Sequence, residues 1–189
     1  MEITLSKWIG EWESFENYIH STDEQMLTIW QQAEALTKTM PMFARGVKAF
    51  WESACFTNTK ENPIPVSYWY ITQPSKDALQ ITWTLQDQTQ HTYTYSFHSI
   101  LEKGLENKPS TILCSDEPSP FQYVLLMEPM PEKTDNGLLP HLHFQYAKES
   151  SVLVKDNSLL NPLWYATMVD STGTQDQKYD LLRALHKLK

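Results

Sequence analysis

Apolar side chains recur at helical spacing through the first sixty residues. Trp8, Trp12, Phe15 and Ile19 follow one another at intervals of four, three and four, a stripe along one face of a helix. Ser21-Thr22-Asp23 then supplies an N-cap for a second helix carrying Met26, Ile29, Trp30 and Ala33, which ends before Pro41. A third, shorter helix carries Val47, Phe50 and Trp51. Residues 5–60 are therefore expected to form a helical segment whose aromatic stripe packs against a sheet.

Beyond Pro63 and Pro65 the period drops to two. Val66, Tyr68 and Tyr70 alternate with Ser67 and Trp69; Ile81, Trp83 and Leu85 alternate with Thr82, Thr84 and Gln86. Turn residues around Asp87, Gln88 and Gln90 lead into His91, Tyr93, Tyr95 and Phe97, set against Thr92, Thr94 and Ser96, which predicts a hairpin with threonine on one face. Ser110–Cys114 and Phe121–Glu128 are two more strands around the turn at residues 116–120. A strand beginning at His141 follows the loop 129–137, Val152–Val154 is a candidate further strand, and Gln175–Leu188 reads as an amphipathic helix. Short antiparallel strands at regular spacing, preceded by helices and followed by one, predict a closed or nearly closed β-barrel with helical additions, a mostly β fold. No repeat or linker divides the chain, so residues 1–189 are expected as one domain, with the barrel over about 64–170.

Composition narrows the partners. At 41% hydrophobic and 12% aromatic, the chain can bury a core without disulfide or metal staples. A net charge of −8, a pI near 5.2 and no basic cluster argue against nucleic acid. Cys55 and Cys114 form no C-x-x-C motif; free buried thiols are expected, with a single disulfide as the alternative. The segment Met1–Trp8 lacks the basic and apolar regions of a secretory signal, and no stretch reaches the ~20 apolar residues of a membrane span. A cytoplasmic monomer is expected, or an extracytoplasmic one if a leader has been removed.

The candidate chemistry centres on Leu139-Pro140-His141-Leu142-His143-Phe144. On a strand His141 and His143 share one face and Leu142 and Phe144 the other, so both imidazoles are expected to face one cavity inside the barrel. Two histidines held by a strand can present nitrogens to one transition-metal ion, given a third or fourth ligand from neighbouring strands. Cys114, beside Asp116 and Glu117, would be a soft ligand if it reached the site, although a structural thiol is the simpler expectation. His98 is a candidate auxiliary ligand; His91, His20 and His186 are expected to be exposed. With no Gly-rich phosphate loop, nucleophile elbow or H-E-x-x-H helix, a non-enzymatic protein is expected.

Leu5-Ser6-Lys7-Trp8-Ile9-Gly10-Glu11-Trp12-Glu13-Ser14 resembles the L-S-x-W-x-G-x-W-x-S opening of the ZinT family, also called YodA, of bacterial metal-binding proteins. The likeness continues through the hairpin 81–101, through Cys114–Pro118 and Tyr123, through the His-Leu-His strand, and to Trp164 and Tyr165. It implies a calycin (lipocalin-like) barrel that binds zinc, or another divalent ion such as cadmium, for buffering or delivery, with a metal transporter as a further partner. In that family a third histidine near the end of the preceding strand completes the site. Here Met127-Glu128-Pro129-Met130-Pro131 stands at that place and leaves Glu128 as the nearest ligand beside His141 and His143. Because coordination needs neutral imidazole, affinity is expected to fall as pH drops through ~6.5. Two alternatives stay open. One is a barrel that has lost the metal and takes an apolar or aromatic small molecule among Trp83, Tyr93, Tyr95 and Phe97. The other is an interaction module using an exposed patch around Trp8, Trp12 and Trp30.

Overall fold

The computed structural model describes residues 4–56, 64–134 and 137–188. Three stretches of the sequence reading lie outside them: the start of the segment Met1–Trp8, the last residues of the expected helical segment (57–60), and part of the loop 129–137. Eight antiparallel strands close on themselves into a barrel, the mostly β, calycin-like architecture expected. In chain order the strands are β1 (Gly10–Ser14), β2 (Val66–Ser75), β3 (Ala78–Leu85), β4 (Gln90–Leu101), β5 (Ser110–Ser115), β6 (Tyr123–Met127) and β7 (His141–Ala147). A two-stranded hairpin, β8 (Val154–Lys155) and β9 (Ser158–Leu159), precedes β10 (Ala166–Asp170). Around the ring the order is β1-β10-β7-β6-β5-β4-β3-β2, with β1 hydrogen-bonded to both β2 and β10.

The first strand departs from the expected helix. Leu5–Trp8 is a short 3-10 turn, Gly10 takes φ +144, which favours glycine, and the chain enters β1. Only then do α1 (Glu16–Ile19), α2 (Glu24–Thr37) and α3 (Val47–Phe56) follow. The four-three-four spacing imitated a helix because three different elements happen to continue it. Trp8 and Trp12 belong to the barrel core, whereas Phe15 and Ile19 belong to a second core outside the barrel. The Trp8 indole N–H donates to the Met127 carbonyl at 2.9 Å and the Trp12 indole N–H to the Trp8 carbonyl at 2.9 Å, so this tryptophan pair is architecture rather than an exposed patch.

Period-two patterning places Trp69, Ile71, Leu79, Ile81, Trp83 and Tyr95 inward, all at most 1% exposed. Rings fill the barrel: Trp83 stacks on Phe121 at 4.0 Å between centroids, and Trp69 meets Phe144 at 4.4 Å. The aromatic ligand cavity expected among Trp83, Tyr93, Tyr95 and Phe97 is thus occupied by the protein's own side chains, and Phe97 lies 45% exposed outside it.

A helical layer covers the outer face of β1, β10 and β7. It consists of α1, α2, α3 and α5 (Gln175–Leu185), which enclose Phe15, Ile29, Trp30, Val169 and Leu182 in the second core. Asp23 caps α2 by accepting from the Met26 N–H at 2.8 Å, as its position before the apolar run predicts. Thr174 and Gln177 form a capping box on α5, and the Tyr179 hydroxyl donates to Asp23 at 2.9 Å, tying the two helix starts together. Residues 152–154 straddle the end of a one-turn helix, α4 (Ser150–Leu153), and β8 instead of forming one strand. His186, expected at the surface, is 6% exposed because the end of α5 folds against Trp30 and Trp51.

Candidate functional site

Alternation on β7 sends Leu142, Phe144 and Tyr146 into the barrel, and His141 and His143 therefore point out through the wall. They share a face, as the H-x-H spacing requires, but it is the face beneath the helical layer and not the barrel interior. On neighbouring β10, His141 lies opposite Val169 and His143 opposite Thr167. A cavity of about 220 Å³ opens between this wall and the helices, lined by Phe15, Phe50, Trp51, Tyr165, Leu181 and Leu185 with Glu106, both histidines and Thr167.

His143 is 6% exposed and engaged at both ring nitrogens. The Thr167 hydroxyl donates its proton to the Tyr165 carbonyl at 2.9 Å, so at 2.8 Å it accepts from the His143 Nδ1–H. Nε2 lies 3.2 Å from Glu106 Oε1. One proton shared between these two atoms joins the ring to the carboxyl group. The hydrogen bond to His143 holds the Glu106 carboxyl down to about 2 against the opposing effect of partial burial, helped by Lys108, whose ammonium is 3.2 Å from the other carboxylate oxygen.

Glu106 reaches the site through an unusual backbone. It sits at φ 53 in the 3-10 turn Leu105–Asn107, and Asn107 follows at φ 58. Left-handed backbone at a non-glycine residue costs roughly 1 kcal/mol or more. The turn is held by Gly104 N–H to the Lys108 carbonyl at 2.8 Å and by Leu105 N–H to Ser110 Oγ at 3.0 Å.

His141 contrasts with its neighbour. Its ring centroid is 5.5 Å from that of His143, yet its Nδ1 is buried without a hydrogen-bond partner among the described residues. Burial, reinforced by the neighbouring His143, lowers its pKa to about 4, so the ring is neutral near pH 7.

Other residues singled out from the sequence lie elsewhere. Glu128 follows the end of β6, is largely exposed, and is ion-paired with Lys7 in a separate polar pocket shared with Lys133 and Asp170. The structure does not bring it to the histidines. Cys114 is a free, half-buried thiol on β5 across from Ser96 and Tyr123, and Cys55 is free and buried. His98 is exposed beside the Tyr123 ring, 5.4 Å between centroids. Among the described residues no group of three or more His, Cys, Asp or Glu is disposed to hold a metal ion. As placed, His143 is bonded through both ring nitrogens, so zinc would have to displace one of these partners.

Glu106 and Thr167 were not singled out from the sequence, and Trp51 only as an apolar helix position. Only Gly104 and Pro109, flanking Glu106, signalled a turn there, and nothing local links that turn to β7. Fold and site together define a calycin-like antiparallel barrel with a helical layer that encloses a mainly apolar pocket against its outer wall. Comparison with protein-family models, curated proteins and solved structures finds no match.

Proposed function

We propose that this protein binds a small, mainly apolar ring compound in the cavity between β7, β10 and the helical layer, with His141 supplying the polar contact. The observation that carries this reading is the division of labour between the histidines: His143 is bonded on both nitrogens, while a buried nitrogen of His141 has no partner among the described residues. Buried polar atoms are nearly always paired, and His141 lines the cavity, so its ring keeps polar capacity for a ligand. A cavity of about 220 Å³ is larger than the ~150 Å³ apolar cavity that takes benzene and suits one or two fused rings. Phe15, Phe50, Trp51 and Tyr165 offer faces and edges for ring packing. The resemblance to the ZinT family supports the barrel and a binding role, but its zinc chemistry would require His143 to give up Glu106 or Thr167.

Titration calorimetry with indole, phenol and benzimidazole, and separately with zinc chloride, tests the proposal. A ring probe of about ten non-hydrogen atoms should bind with Kd on the order of 10–100 µM. Filling the cavity by Ala54→Trp should abolish that binding, and His141→Leu should weaken a hydrogen-bonding probe roughly 10-fold. No ring probe binding, or binding indifferent to Ala54→Trp, would overturn it. One equivalent of zinc taken up and lost in His141→Ala would favour the metal reading instead.

A further inference from the structure

Strands β2, β3 and β4, the barrel wall formed by residues 66–101, carry no Lys, Arg, Asp or Glu. Residues 64–101 contain three Lys, Arg, Asp or Glu residues, Lys76, Asp77 and Asp87, and all three sit in the two turns that join these strands. The chain as a whole is 20% charged with a net charge of −8, so this wall is set apart from the rest of the sequence. Exposed sheet faces ordinarily stay soluble and single by displaying charge.

What the face displays is specific. Tyr68 and Tyr70 stand two residues apart on β2, 43% and 54% exposed, so their rings project on the same side about 7 Å apart along the strand. Pairing places Thr84 and Gln90 in line with Tyr68, and Thr82 and Thr92 in line with Tyr70. The hydroxyls of Thr82 and Thr92 are 2.9 Å apart and Gln90 donates to Thr84 at 3.2 Å, which holds a lattice of neutral donors and acceptors in place. On the other side of the tyrosines, Glu11 lies opposite Tyr70 and forms an acidic border.

We infer that this face binds an extended neutral polysaccharide. A pyranose ring presents C–H groups on its flat sides and hydroxyls around its rim. Tyrosine faces suit the former, because the ring quadrupole attracts C–H edges, and neutral threonine and glutamine side chains suit the latter. Ions and nucleic acids would find no countercharge here. Two tyrosines set in a flat polar lattice form an open platform with no recess around them, a shape that suits a flat sugar ring. Absence of charge complements an uncharged, hydroxyl-rich chain, and the sheet supplies a rigid platform for it.

Affinity electrophoresis of the whole protein through gels containing hydroxyethyl cellulose, dextran or soluble amylose, with carboxymethyl cellulose as the charged control, tests this inference. At least one neutral glucan should retard migration. Tyr68→Ala and Tyr70→Ala should each weaken that retardation roughly 2- to 10-fold, and Tyr70→Trp should preserve or strengthen it. Both rings are exposed, and near-ultraviolet circular dichroism with a melting curve verifies that the variants remain folded. No retardation by any neutral glucan, or retardation unchanged in the double alanine variant, would overturn the inference. So would concentration-dependent self-association abolished by that double variant, which would give the face to a second copy of the chain.

Discussion

His141 and His143 differ in what each loses when it is replaced. Removing His143 takes one hydrogen-bond partner from Glu106, which keeps Lys108, and one from the Thr167 hydroxyl, which keeps the Tyr165 carbonyl, so His143→Leu should destabilise the fold by about 1–2 kcal/mol. Replacing His141 removes a buried nitrogen that has no partner among the described residues, so His141→Leu should leave stability unchanged or raise it by about 1 kcal/mol. Urea unfolding at pH 7 separates the two outcomes; equal losses would show that His141 has a partner after all. The H-x-H spacing reveals that the two rings share a face, but not which face. Parity was legible in the sequence, whereas the inward side was fixed by Leu142, Phe144 and Tyr146 competing for the same core. Glu106 was illegible because its contact crosses 37 residues and depends on a left-handed turn.

At the scale of elements, strands were read more faithfully than the opening helix. Alternation in β2 to β4 is long and self-consistent, while the stripe 8-12-15-19 borrows from a turn, a strand and a short helix. The caps were legible too, and one of them acts across elements. Asp23 both caps α2 and accepts from Tyr179 on α5, so Asp23→Ala should destabilise by about 1–2 kcal/mol, more than a cap alone. A double-mutant cycle with Tyr179→Phe would measure the shared part, and strict additivity would refute the coupling. Trp51 likewise joins layers. Its indole N–H donates to His186 Nε2 at 2.9 Å while the His186 Nδ1–H serves the Leu182 carbonyl at 2.9 Å, and Trp51 also lines the cavity.

For the whole molecule, burial of ionisable groups sets a pH window. His141, lowered to about 4, and His186, also lowered by burial, are neutral when folded and take up protons near 6.5 when unfolded. Their contribution is present above pH 6.5 and is lost as pH falls through the folded values, at up to about 1.4 kcal/mol per pH unit for each group. Glu16 acts in the opposite sense. Burial, with Glu52 nearby, raises its carboxyl to about 8, so its contribution is present below pH 4.5 and is lost as pH rises toward 8. Stability should therefore peak between about pH 5 and 7. Glu16→Gln should stabilise the protein at pH 8 and change little at pH 4; thermal melts at both pH values would reveal the difference, and equal shifts would refute it.

The ring closes at β1, five residues held between β2 and β10. Those partners lie about fifty and one hundred and fifty positions further along, so during synthesis this stave leaves the ribosome early and waits for the final strand. Until Ala166–Asp170 emerges, the sheet has open margins that invite pairing with other chains. A chain interrupted before Ala166 would therefore keep two unpaired sheet margins, on β1 and on β7, each open to a neighbouring molecule.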